Sequence, residues 1–127
     1  KCFALTGNYS WNKLNKKGTD DPLIPAFNTP ENKYNIGFNG RDLYGVGFNI
    51  NYKWVQGFKY EGSPQFTGKI PSYDMVDAQV NYKLKEAGTT FKLGAMNLLN
   101  NKHYEIYGGP KVGRMVYFSI LFEVDKL

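Results

Sequence analysis

The chain has 127 residues, a formal charge of +5 and a pI near 9.2; 17% of it is aromatic, with ten Tyr and nine Phe, and Gly reaches 14. That is the length of one domain, and Tyr, Phe, Val and Ile set between Gly and Asn favour strands and turns over helices. A single cysteine, Cys2, and a single histidine, His103, exclude an internal disulfide and a clustered Cys/His zinc site, and the basic residues are too dispersed for a nucleic-acid groove.

No stretch approaches the ~20 apolar residues of a spanning helix, so any membrane crossing must use strands. The chain opens at Lys1 with neither Met nor a secretory signal, which reads as a processed product or an excised piece of a longer protein.

In chain order, Phe3, Leu5, Tyr9 and Trp11 share one face with Gly7, opposite Ala4, Thr6, Asn8, Ser10 and Asn12. The alternation returns with Tyr34, Ile36 and Phe38 against Asn35, Gly37 and Asn39. It continues with Val46, Phe48, Ile50, Tyr52 and Trp54 against Gly47, Asn49, Asn51 and Lys53. Val76, Ala78, Val80, Tyr82 and Leu84 then oppose Asp77, Gln79, Asn81 and Lys83. Phe91, Leu93 and Ala95 oppose Lys92 and Gly94, with less regularity towards Met96 and Leu98. Last, Val116, Phe118, Ile120, Phe122 and Val124 oppose Tyr117, Ser119, Leu121 and Glu123.

This predicts about six strands, many near the ~9–11 residues that cross a tilted barrel wall. The connections 13–33, 58–72 and 101–113 are long and rich in Gly, Pro, Asn and charge, whereas 41–45 and 85–90 are short turns. In an up-and-down antiparallel sheet, that alternation puts every long loop at one edge and every short turn at the other. The predicted fold is therefore all-β, a segment of an antiparallel up-and-down transmembrane β-barrel.

Aromatics agree with it: Tyr9, Trp11, Tyr52 and Trp54 lie on the apolar face at the long-loop ends, and Tyr82 and Phe122 near the opposite ends, as two membrane belts require. Bacterial barrels start at about eight strands, so six leave two open edges that need neighbouring strands or another copy.

Four segments carry a family resemblance. They are Phe27-Asn28-Thr29-Pro30 with Asn32-Lys33-Tyr34-Asn35; Ile70-Pro71-Ser72-Tyr73 with Val76-Asp77; Asn97-Leu98-Leu99-Asn100-Asn101-Lys102-His103-Tyr104; and Gly108-Gly109-Pro110 with Gly113-Arg114. In this order and spacing, over nearly the whole chain, they resemble the TonB-dependent outer-membrane receptors.

The resemblance implies a barrel of about 22 strands filled by an N-terminal plug. It also implies a place in the outer membrane of a Gram-negative bacterium, and import of a scarce ligand (siderophore, heme, vitamin or glycan) with energy passed on by TonB. Residues 1–127 would be the C-terminal part of that barrel, without plug or earlier strands, and would not transport alone. Its partners would be outer-membrane lipid, the remaining strands and plug, TonB through the plug, and the imported ligand, while the isolated piece would self-associate. Such barrels usually end in an aromatic residue, but Val124 holds that place before Asp125, Lys126 and Leu127, which shifts the insertion signal to Phe122 or alters it.

The Asn-rich face then becomes lumen-facing: Asn35, Asn39, Asn49, Asn51, Asp77, Gln79 and Asn81 would hydrate the lumen or hydrogen-bond a plug. Candidate ligand contacts in the long loops are Phe58, Tyr60, His103 and Tyr104, with His103 expected as a solvated loop histidine. Asp20 and Asp21, or Asp74 and Asp77, are paired acids by sequence only; no catalytic residue, cofactor or metal is expected, and Gly108-Gly109-Pro110 reads as a turn. The alternative is a soluble β-sandwich or partial barrel that binds carbohydrate through Trp54, Phe58 and Tyr60, with the apolar face as a dry core.

Overall fold

A computed structural model describes residues 2–14, 28–63 and 65–123. Strands β1 (Cys2–Trp11), β2 (Asn32–Leu43), β3 (Val46–Val55), β4 (Phe58–Glu61), β5 (Thr67–Ile70), β6 (Tyr73–Leu84), β7 (Thr89–Met96) and β8 (Met115–Phe122) follow one another, with a single 3-10 turn at Lys85–Ala87. Six of them form one sheet in the order β1-β2-β3-β6-β7-β8, and β4 pairs with β5 in a separate hairpin. Every pairing is antiparallel.

The register turns local alternation into two continuous surfaces. Leu5 pairs with Phe38, Phe38 with Ile50, Ile50 with Ala78, Ala78 with Ala95, and Ala95 with Val116, so one apolar row crosses all six strands. The adjacent row runs Ala4, Asn39, Asn49, Gln79, Gly94, Tyr117 on the other face. Tyr117 leans across Gly94 of β7 and its hydroxyl donates to Gln79 Oε1 of β6 at 2.9 Å. A Cβ at position 94 would overlap that ring, which is why glycine stands there.

β2 is longer than its alternation suggested. Its pairing with β1 reaches from Asn32, opposite Trp11, to Arg41, opposite Cys2. A shift of register against β3 between Gly40 and Leu43 breaks the period at its end, so the sequence there does not read as strand. The turn that follows uses Tyr44 and Gly45, both at positive φ (56 and 84), the conformation favoured in tight hairpins. In 58–72, expected as loop, the chain instead forms the β4–β5 hairpin, whose four-residue strands are too short to show a period. The irregularity at Met96 and Leu98 marks the end of β7, where Asn97 turns into the left-handed region (φ 51). Val124, expected in the last strand, lies outside the described residues, as do Asp20, Asp21 and Phe27.

Among the described residues the buried apolar set is small: Val55, Ile70 and Ala95. The apolar face is open, with Leu5 76%, Phe118 62% and Ile120 59% exposed, and among the described residues no second layer covers it. A β-sandwich would need this face as its dry core, so the soluble alternative lacks the packing it depends on. Rings crowd along this face instead: Phe3 stacks on Phe38 at 5.9 Å, and Tyr34 on Trp54 at 5.4 Å.

Two unpaired edges, β1 and β8, and an open apolar face should drive the 127-residue chain to associate on its own. Sedimentation should show mass rising with concentration, and Phe48→Lys with Ile120→Lys should weaken the effect. A monomer at all concentrations would contradict it.

Candidate functional site

The three long connections (β1 to β2, β3 to β6, β7 to β8) leave from one end of the sheet and the two short turns from the other. Backbone groups that leave the ladder at the long-loop end are satisfied by side chains. Asn28 clasps β4 from the β1–β2 connection: its Nδ2 donates to Glu61 O at 3.0 Å, and Glu61 N donates to its Oδ1 at 2.8 Å. Asn32 Nδ2 reaches Gln56 Oε1 at 2.5 Å, and Gly57 N donates to Ser72 Oγ at 2.8 Å.

The exit of β7 is tied most densely. Asn97, 1% exposed, donates its amide to Asn101 O at 2.9 Å and accepts from Asn101 N at 2.9 Å, while its own N–H donates to Asp77 Oδ1 at 2.8 Å. Asn101 Nδ2 then reaches Asp74 Oδ1 at 2.8 Å, and Arg114 N donates to Asn100 Oδ1 at 3.0 Å. The run from Asn97 to Asn101 is thus a self-capped turn that hands the chain from β7 to the rim. Its asparagines satisfy the left-handed backbone at Asn97 and Asn100 together with the freed N–H groups.

Beyond it, His103 forms an isolated antiparallel bridge with Val112 and stacks on Tyr73, ring centroids 4.0 Å apart. Its Nδ1 lies 2.9 Å from Asn101 O, and its Nε2 faces Glu105 Oε1 at 3.6 Å. The imidazole is only 4% exposed, which corrects the expectation of a solvated loop histidine. An aromatic neighbour thirty residues upstream does the burying, and nothing local announces it.

Tyr104 and Tyr107 remain accessible and line, with Lys69, Ile70 and Pro71, a cleft of about 450 Å³. The Tyr107 ring lies against Gly68 of β5, where a side chain would overlap it. Lys111 Nζ sits 5.3 Å from the centre of the Tyr104 ring.

A second recess, of about 470 Å³, lies where the polar face meets this rim. β2 supplies Lys33 and Asn35, β3 Lys53, β4 Phe58, β6 Tyr73, the β1–β2 connection Asn28 and the β7–β8 connection Glu105. The candidate Phe58 therefore sits in this wall, and Tyr60 is two residues on in the hairpin, half-buried. Lys53 is legible on the polar face from its alternation, whereas Lys33 falls within the expected 13–33 connection; Glu105 and Tyr73 reach the recess only through the fold.

The polar residues expected on one face do share it. Asn35 Nδ2 donates to Asn8 Oδ1 at 2.8 Å, and Asn49 bonds Asn39 directly across the strands. Asn51 pairs in register with Asp77, and Asn81 with Lys92. On the opposite face, Tyr9, Trp11, Tyr52 and Trp54 gather at the long-loop end, with the Tyr9 hydroxyl on Asn32. Tyr82 and Phe122 lie towards the short turns. Among the described residues, no cluster of His, Cys, Asp and Glu could hold a metal.

The family model for the TonB dependent receptor-like β-barrel matches residues 3–98, which takes in β1 to β7. The chain belongs to the TonB-dependent receptor β-barrel family. No curated protein and no solved structure matches it. The family is one of outer-membrane receptors and transporters rather than enzymes. An antiparallel sheet with an open apolar face and both edges unpaired is consistent with a segment of such a receptor's wall.

Two substitutions test how the receptor's rim is built. Gly68→Ala should expel Tyr107, and since overpacking costs about 1–3 kcal/mol, opening of the 97–114 loop should rise at least about fivefold. Faster tryptic cleavage after Lys102 or Lys111 would register it; an unchanged rate would mean that this contact does not hold the loop. Asn97→Ala should cost about 2–4 kcal/mol in urea unfolding, because it strands the Asn101 backbone groups and forces alanine into the left-handed region. Asn97→Gly should recover part of that loss.

Proposed function

We propose that residues 1–127 form the C-terminal part of the barrel of a TonB-dependent receptor, which binds a scarce ligand at the cell exterior and imports it with energy from the TonB system. The observation that carries this reading is the register. Apolar side chains from all six strands fall on one face, and polar ones on the other, with aromatics at both ends of the apolar face.

In this reading the apolar face meets outer-membrane lipid of a Gram-negative bacterium. Tyr9, Trp11, Tyr52 and Trp54 sit in the outer headgroup layer, and Tyr82 and Phe122 in the inner one. The ten-residue strands β1 and β3 have the length that such a crossing takes. Asn35, Asn39, Asn49, Asn51, Asp77, Gln79 and Asn81 line the lumen, where they hydrate the passage or bond the plug. The long-loop rim faces outward, and Phe58, Tyr60 and Tyr104 are its candidate ligand contacts. The edges of β1 and β8 pair with the remaining strands of the receptor, and TonB acts through the plug rather than on this wall.

Spin labels at Phe48, Ile50, Val80 and Phe118 of the intact receptor should be quenched by lipid-phase reagents. Labels at Asn49, Asn51 and Gln79 should not be. Inaccessibility of the first group to lipid-phase quenchers would end this reading.

A further inference from the structure

We infer that the recess under the rim is an anion subsite, and that the ligand taken by the receptor presents at least two negatively charged oxygens, as carboxylates or phosphates, to Lys33 and Lys53. This rests on the receptor role proposed above and names its substrate class.

The argument begins with the register. Lys33 stands opposite Val55, and Lys53 opposite Asn35, so the two lysines are diagonal neighbours on adjacent strands, their backbones about 7–8 Å apart. Both line the recess, and within it Glu105 is the one carboxylate against two ammonium groups. Ion pairs among the described residues join Lys59 with Glu61, Lys83 with Glu123 and Lys85 with Asp42, and Glu105 lies 3.6 Å from the His103 imidazole. None of them neutralises Lys33 or Lys53.

Two like charges at neighbouring sheet positions repel, and an Asn or Ser at either would keep a polar wall hydrated without that cost. Asp77 lies diagonal to Lys53 by the same register and offsets part of that cost, but its Oδ1 is engaged by the Asn97 N–H at 2.8 Å and it does not line the recess, where the two lysines suit a guest of opposite charge. A concave site walled by protein strengthens the attraction relative to open water. Asn35 and Asn28 hold their amides in bonds to Asn8 and Glu61, which leaves the lysines as the anchors. Glu105 is held on the opposite wall beside the buried His103, where its charge opposes an incoming anion.

The test uses the intact receptor that contains this chain, purified in detergent micelles, and titration calorimetry with two probes: tricarballylate for carboxylate and inorganic pyrophosphate for phosphate. At least one should bind saturably, and more weakly as salt rises. Lys33→Gln and Lys53→Gln should each lower its affinity about tenfold, while the Arg replacements keep it within about threefold. Glu105→Gln should raise it about three- to tenfold. That change lies outside the membrane-crossing strands, and a gain of affinity cannot come from misfolding. Binding of neither probe by wild type, unchanged affinity in both Gln variants, or no gain in Glu105→Gln would each overturn the inference. A receptor whose spin labels report lipid but which binds neither probe loses this subsite and keeps its proposed role.

Discussion

Hydrocarbon offers no partner to a backbone N–H or C=O, so a sheet that lies in it must satisfy its own ladder without interruption. The sheet of this molecule meets that requirement. From β1 to β8 the main sheet runs as one continuous set of antiparallel pairs, and the pairing dictates where every side chain goes. With a period of two, a slip of one residue would send the whole apolar set of a strand to the polar face. The one shift of register, between Gly40 and Leu43, falls beside the short Tyr44–Gly45 turn, where it does not propagate inversion into the span of β2 and β3. Irregularity is thus confined to the end of the sheet, beside a turn.

A single sheet leaves little to bury, and order at the rim has to come from elsewhere. With Val55, Ile70 and Ala95 as the buried apolar set, the long connections are held by amides and hydroxyls that bond stray backbone groups: Asn28 on Glu61, Ser72 on Gly57, Asn97 on Asn101. Such bonds are worth about 1 kcal/mol each when made and more when broken, because the abandoned partner stays dry. Asn97 shows the stronger case, being nearly inaccessible and bonded on both sides of its amide. The exposed ion pair of Lys85 with Asp42, at 4.0 Å, adds little by comparison.

The sequence made the wall legible because alternation is a local property. Phe48, Ile50 and Tyr52 declare their face without knowledge of any neighbour, and the register then aligns them with Val80, Ala78 and Val76. Loop sorting was legible for the same reason, since length and composition are read along the chain. What could not be read depends on contacts remote in sequence. His103 sits under Tyr73, and Tyr107 over Gly68, through a fold of the β7–β8 connection onto β5 and β6 that no period foretells. β4 and β5 escaped because four residues give too few alternations to separate strand from loop. The recess was half legible: parity put Lys53 on the polar face, but Lys33 fell in an expected connection and only topology brings Glu105 across to them.

This division has a consequence for how such a wall can change. A residue in the span answers to two neighbours across the ladder, as Asn35 does to Asn8 and Lys53, so altering it disturbs the face as a whole. Glu105 has no neighbour across the ladder and meets only the His103 imidazole, at 3.6 Å; it stands on a connection whose backbone is already anchored by the Asn97 turn and by the bridge between His103 and Val112. Its carboxylate can be exchanged for another group while the strands keep their pairing. In the proposed subsite the charge presented to a guest can therefore be tuned from the rim, while the lysines beneath it stay fixed by the same two-residue period that turns the apolar side chains the other way.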